Sequence, residues 1–148
     1  YQVNATYFSA LGEDERRLLF ARAVQLFMPG KPQVWYLDLF AGKNDKEAVQ
    51  RGGSGGHKEI NRTNLTNAQV EEGLQTQIVK DQLALLRMRN ACPAFGFDAR
   101  LTLEQPAPHL LTLRWERQGA QAELHADLRT AAFRVQAQWN GQTFEMER

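Results

Sequence analysis

Phe133-Arg134-Val135-Gln136-Ala137-Gln138-Trp139-Asn140-Gly141-Gln142-Thr143-Phe144-Glu145-Met146 reads as a hairpin. Apolar side chains occupy alternate positions on both sides of Asn140-Gly141. A period of two places them on one face of a pleated strand. Asn-Gly accepts the positive φ that a two-residue hairpin turn demands. The same alternation extends upstream. Ala122, Leu124, Ala126 and Leu128 form one run, Leu111, Leu113 and Trp115 another, and Leu101 and Leu103 a third. Turn residues separate them at Pro106–Pro108, Gln118-Gly119 and Arg129-Thr130. The pattern predicts an antiparallel meander of about five strands, with one apolar face and one wet face. Trp115 and Trp139 fall on the apolar face. His109 and His125 fall on polar positions without metal-ligand spacing and read as surface residues.

Upstream of about residue 95 the period changes. Glu13, Asp14 and Glu15 give the acidic first turn of a helix predicted over 13–28, and Pro29-Gly30 stops it. From Leu18 to Phe27 apolar residues face nearly every direction, so this helix should be buried on most of its circumference. Gln33-Val34-Trp35-Tyr36-Leu37 reads as a strand buried on both faces, with its sheet neighbours elsewhere. Thr66-Asn67-Ala68-Gln69 matches a capping box. A second long helix is predicted over 76–90, with Val79, Leu83, Leu86 and Asn90 on its stripe, Ile78, Leu85 and Met88 nearby, and Lys80, Asp81, Arg87 and Arg89 as polar neighbours. Between the strand and the capping box lies the polar connection 38–62. It contains Gly52-Gly53-Ser54-Gly55-Gly56-His57-Lys58-Glu59-Ile60-Asn61-Arg62. Four glycines followed by a charged run predict a mobile loop that closes on a guanidinium suited to carboxylate or phosphate. The natural boundary is the change of period, giving units 1–95 and 96–148.

The totals exclude more than they assign. The chain has 148 residues and a formal net charge of +1, which gives no electrostatic case for nucleic acid or an acidic membrane surface. Its one cysteine, Cys92, reads as a small packing residue and points to a reducing, cytoplasmic compartment. No apolar run approaches the ~20 residues of a membrane span. The chain starts at Tyr1 without an initiating Met and so reads as part of something longer.

Six motifs in order carry a resemblance: Tyr1-Gln2-Val3-Asn4, Leu11-Gly12, Ala21-Arg22-Ala23, Pro29-Gly30-Lys31-Pro32-Gln33-Val34-Trp35-Tyr36, Ala41-Gly42-Lys43-Asn44-Asp45 and Glu59-Ile60-Asn61-Arg62. In this register residues 1–95 resemble the last part of a sucrose phosphorylase, of glycoside hydrolase family 13 in the α-amylase superfamily. The resemblance implies an α+β chain: the last helices and strand of a (β/α)8 barrel, then a small antiparallel β-sheet domain. The loop 38–62 would then follow the eighth strand, and Tyr1–Asn4 would end the loop after the seventh, both on the ligand-binding side of the barrel. The family transfers a glucosyl unit to phosphate with retention, through a carboxylate nucleophile and a carboxyl acid/base. Its catalytic carboxylates would lie upstream of Tyr1, so no catalytic residue is expected here and the fragment alone should be inactive. The resemblance makes Arg62 the arginine that pairs with a carboxylate near the glucosyl pocket, and makes Tyr1 and Gln2 acceptor- or phosphate-binding residues. It calls for a sugar and inorganic phosphate as partners and for no cofactor or metal.

One departure bears on the acceptor. Familiar members carry Gly-Arg-Asp-Ile-Asn-Arg, whereas Gly56-His57-Lys58-Glu59-Ile60-Asn61-Arg62 is longer and more basic. Related phosphorylases act on sucrose 6′-phosphate or glucosylglycerate, and His57 and Lys58 would favour such an anionic acceptor. Two other readings stay open. A carbohydrate-binding module would need aromatic residues on the wet face of the meander. A structural or interaction fragment would expose barrel-facing apolar surface at 18–27 and 33–37, through which copies would pair as a homo-oligomer.

Overall fold

A computed structural model describes residues 3–148; the candidate residues Tyr1 and Gln2 lie outside the described residues. The helices are α1 (Tyr7–Ala10), α2 (Glu15–Phe27), α3 (Tyr36–Leu39), α4 (Lys46–Arg51), α5 (Asn67–Gly73) and α6 (Gln77–Ala91). The strands are β1 (Arg100–Ala107), β2 (Leu110–Arg117), β3 (Ala120–Asp127), β4 (Ala132–Trp139) and β5 (Gln142–Glu147). Two compact units result: residues 1–18 with 33–82, and residues 19–32 with 83–148.

The second unit is built on the sheet. Its strands lie in the order β1-β2-β3-β4-β5, each antiparallel to the next. In the last hairpin Trp139 pairs with Gln142 around Asn140 (φ 47°) and Gly141 (φ 73°), so the two-residue turn and its register are as the residues dictate. Leu113, Trp115, Leu124, Phe133, Val135, Ala137 and Trp139 are buried along one face. Residues 19–27 of α2 cover that face, and Phe20 meets Phe133 edge-on, with ring centroids 6.4 Å apart. The Trp115 indole N–H donates to the Phe27 carbonyl at 2.8 Å, so the one polar atom of a buried ring is satisfied. Removing that side chain would cost about 3–5 kcal/mol.

β1 departs from the alternation. Leu103 is 61% exposed, on a strand that lies at the edge of the sheet. The lone thiol of Cys92 is buried, points at the Gln121 carbonyl 3.9 Å away, and is pushed up from its usual pKa by that burial.

In α2 no residue from Leu18 to Phe27 is exposed, as its sequence requires. Asp14 starts the helix, its carboxylate accepting the Arg16 and Arg17 amides at 2.8 and 3.2 Å. In α6 Val79 of the expected stripe is buried, but the buried face takes in more polar residues than expected. It runs through Ile78, Asp81, Gln82, Leu85, Met88 and Arg89, while Asn90 is exposed. Polar residues could join the stripe because each finds partners. Gln82 donates to the Leu39 carbonyl at 2.8 Å, and Asp81 accepts from Gln77 at 2.8 Å. Arg89 donates to the carbonyls of Gly30 and Phe95 and stacks 3.9 Å over the Phe95 ring. Apolar periodicity cannot anticipate such pairings.

The expected strand at 33–37 is absent. Residues 31–35 form no ladder, and α3 begins at Tyr36. Trp35 keeps extended dihedrals (φ −71°, ψ 137°), but the segment pairs with no neighbouring strand among the described residues.

Candidate functional site

The connection 38–62 belongs to the first unit and is folded rather than loose. Asp45 caps α4, its side chain accepting from the Ala48 amide at 2.8 Å. Its own N–H donates to the Ile60 carbonyl at 2.8 Å and closes the loop at its base. Residues Gly53–Glu59, read from sequence as a mobile run, form a 3₁₀ turn against α4. Here Gly52 and Gly56 serve close approach, whereas Gly53 supplies a positive φ of 56°. A Cβ on Gly56 would sit 2.0 Å from the Val49 carbonyl oxygen, and one on Gly52 would sit 2.5 Å from the Gly56 Cα. The backbones of α4 and the turn touch at a distance only glycine allows.

This packing presents the charged run. His57, Lys58 and Arg62 are exposed at its surface. Arg62 donates from Nη1 to the Glu59 carboxylate at 3.3 Å, and both side chains are about half exposed. Such a pair is worth ~0–1 kcal/mol and opens easily. The carboxylate that meets Arg62 here is therefore a local one, three residues away. Arg51 pairs with Asp45 and Glu47, and Lys43 with Glu13 at 2.7 Å. The Lys43 ammonium, followed by the Ser9 hydroxyl, holds the Glu13 carboxyl below its usual range. Among the described residues, no hydrogen bond or ion pair engages the side chains of His57 or Lys58. A cleft of about 490 Å³ runs beside the loop, lined by Leu37, Lys43, Asn44, Lys46, Thr63 and Leu65 among others.

A second set of contacts ties this loop to the start of the described chain. The Thr6 amide donates to Asn44 Oδ1 and the Tyr7 amide to Asp38 Oδ1, both at 2.7 Å. The Asn44 amide donates to Ser9 Oγ at 3.0 Å, and Asn61 Nδ2 to the Ala5 carbonyl at 3.3 Å. Trp35 and Tyr36, expected inside a strand, are 50% and 36% exposed. The Trp35 indole donates to the Asn61 carbonyl at 3.1 Å and the Tyr36 hydroxyl to that of Thr63. Sequence reasoning missed Asp38, Asn44 and Asn61. Asn44 and Asn61 stand in two of the motifs quoted above, and all three residues are short polar side chains of the type that bonds backbone across a turn.

The sheet unit carries clefts too, one of about 660 Å³ lined by Gly30, Arg89, Phe95, Leu101, Trp115 and Arg117 among others, and one of about 420 Å³ on the wet face. Cross-strand pairs run over the wet face: Arg114 holds Glu123 at 3.0 and 3.2 Å, and Arg134 holds Glu145 at 3.0 and 2.6 Å. The exposed His125 bridges Thr112 and Glu123 at 3.1 and 2.7 Å. Trp115 and Trp139 are 6% and 9% exposed, so neither supplies the platform a carbohydrate-binding module would need. Among the described residues no cluster of three or more His, Cys, Asp or Glu could hold a metal ion, and no helix is long and apolar enough to cross a membrane.

No family model matches the chain. Comparison with known proteins is nonetheless specific. The chain is 57% identical, over 143 residues and 97% of its length, to the sucrose 6(F)-phosphate phosphorylase of Ilumatobacter coccineus. It is 39% identical, over 124 residues and 84% of its length, to the sucrose phosphorylase of Bifidobacterium adolescentis. It spans 27% and 24% of those two proteins. Its fold superposes on the crystal structure of sucrose 6F-phosphate phosphorylase from Thermoanaerobacter thermosaccharolyticum with a TM-score of 0.88 and 36% identity, covering all of this chain and 30% of that one. The chain therefore belongs to the sucrose phosphorylase family and corresponds to a C-terminal portion of its members.

Proposed function

We propose that the chain is the C-terminal part of a cytoplasmic glucoside phosphorylase of glycoside hydrolase family 13, which moves a glucosyl unit to and from phosphate with retention. Residues 1–95 would complete a (β/α)8 barrel, and 96–148 would form the β domain after it. The nucleophile and acid/base would come from upstream, so the 148-residue chain alone turns over no glucoside. In the parent, Arg62 would leave Glu59 for a carboxylate of the glucosyl pocket, with Tyr1 and Gln2 on the acceptor side.

The acceptor half of the substrate would be anionic. The observation that carries this is the pair His57 and Lys58, which stand exposed while Lys43, Arg51 and Arg62 are engaged by carboxylates. Basic side chains without a local carboxylate partner are those free to meet a phosphate. The 57% identity to a protein named for sucrose 6(F)-phosphate supports the same choice. Phosphorolysis by the full-length parent on sucrose, sucrose 6′-phosphate and glucosylglycerate tests it. Preference for a phosphorylated or carboxylated acceptor is expected, and His57→Ala with Lys58→Ala should remove most of it. Preference for neutral sucrose would overturn the anionic reading.

A further inference from the structure

We infer that Asn44 and Asn61, with Asp38, are positioning residues that fasten the segment 5–9 to the 38–62 loop and hold both in one frame. This rests on the reading of that loop as a ligand site.

The four bonds form a latch from two directions. Asp38 and Asn44 reach from the start of the loop and accept the Tyr7 and Thr6 amides. Asn61, directly before Arg62, reaches from its end and donates to the carbonyl of Ala5. Three successive residues, Ala5, Thr6 and Tyr7, are thus held by side chains 31 to 56 positions away in sequence. Thr6 is buried, with only 1% exposed, so its amide has no water to fall back on. It also caps α1, its hydroxyl accepting the Ser9 amide at 3.1 Å, while the Ser9 hydroxyl accepts the Asn44 amide. The loop end is fixed again by the Trp35 indole on the Asn61 carbonyl. Shifting Asn44 therefore shifts the segment that follows Tyr1 and Gln2 in sequence, and Asn61 carries the shift to Arg62. Misplacing a binding group by about 1 Å can cost two orders of magnitude in rate.

The two asparagines work with opposite polarity, which gives a sharp test. Asn44 receives a hydrogen bond through its side chain, whereas Asn61 gives one. The same isosteric change should therefore be harmless at one and damaging at the other. Amide exchange on this 148-residue chain reads the latch directly. Asn44→Asp keeps an acceptor and should leave the amides of 5–9 and 57–62 protected as before. Asn61→Asp loses its donor and should speed exchange in both segments together. Asn44→Leu should do the same more strongly. In the full-length parent Asn61→Asp should raise the acceptor KM by about tenfold or more with melting temperature little changed. Asn44→Asp, which keeps its acceptor, should raise that KM by clearly less than Asn61→Asp does. Equal behaviour of the two Asp variants would overturn the inference, as would faster exchange in 5–9 with 57–62 unmoved. A parent with no phosphorolytic activity would end the functional reading while the exchange result still decided the latch.

Discussion

Glycine closes two tight features of this molecule, and for different reasons. At Asn140-Gly141 it supplies an angle: φ is 73°, and a Cβ there would meet nothing within 4 Å. At Gly56 it supplies room: its φ is ordinary, and a Cβ would collide with the Val49 carbonyl at 2.0 Å. In sequence the two look alike, glycine beside polar residues. The first is a local requirement, legible because the flanking strands announce the turn. The second depends on what another stretch of backbone does a few residues earlier, and reads as looseness when it is tight packing.

Substitution separates these two uses. Gly56→Ala should have the largest effect, since backbone must give way on both sides; a loss of about 3 kcal/mol, measured by denaturant unfolding, is expected. Near-native stability would show that the α4 contact yields. Gly141→Ala meets space but not its preferred angle, and should cost about 1 kcal/mol. Gly55→Ala meets neither obstacle, having no neighbour within 4 Å and no positive φ. It should leave stability unchanged or raise it by about 0.4–1 kcal/mol, because the unfolded chain loses freedom. A destabilised Gly55→Ala would mean that the turn needs flexibility after all.

The smallest effect concerns charge on the sheet. The Arg114 guanidinium, and then the neighbouring His125, hold the Glu123 carboxyl below its usual range. A depressed folded value stabilises above the unfolded value, near 4.5, and the gain disappears as pH falls through the folded one. Stability of the intact chain should therefore drop below about pH 4.5, and Glu123→Gln should remove that part of the slope. The pair is partly solvated, so the effect should stay at or below ~1 kcal/mol.

How much was legible follows the same division between local and distant causes. The five strands, their turns, the inward tryptophans, α2 and the Thr66 capping box came from periods and caps that neighbouring residues set. Three readings failed for a common reason. Leu103 sits on an edge, the buried face of α6 takes in polar groups with distant partners, and 33–37 lacks a strand to pair with. Each needed a contact far along the chain. The site divides likewise. Arg62, His57 and Lys58 stood out by type, whereas Asp38, Asn44 and Asn61 matter through backbone atoms no pattern specifies.

The single sulfur makes a practical tool of the second unit. A sealed thiol with a raised pKa is a poor nucleophile, so native Cys92 should resist alkylation and become reactive once the sheet and its helical cover come apart. Each chain can take only one cysteine adduct, so the labelled fraction read by mass gives the share of chains that have opened, without a spectroscopic probe. Because Cys92 belongs to residues 83–148, such a label would time the opening of that unit alone and leave the Gly56 turn silent.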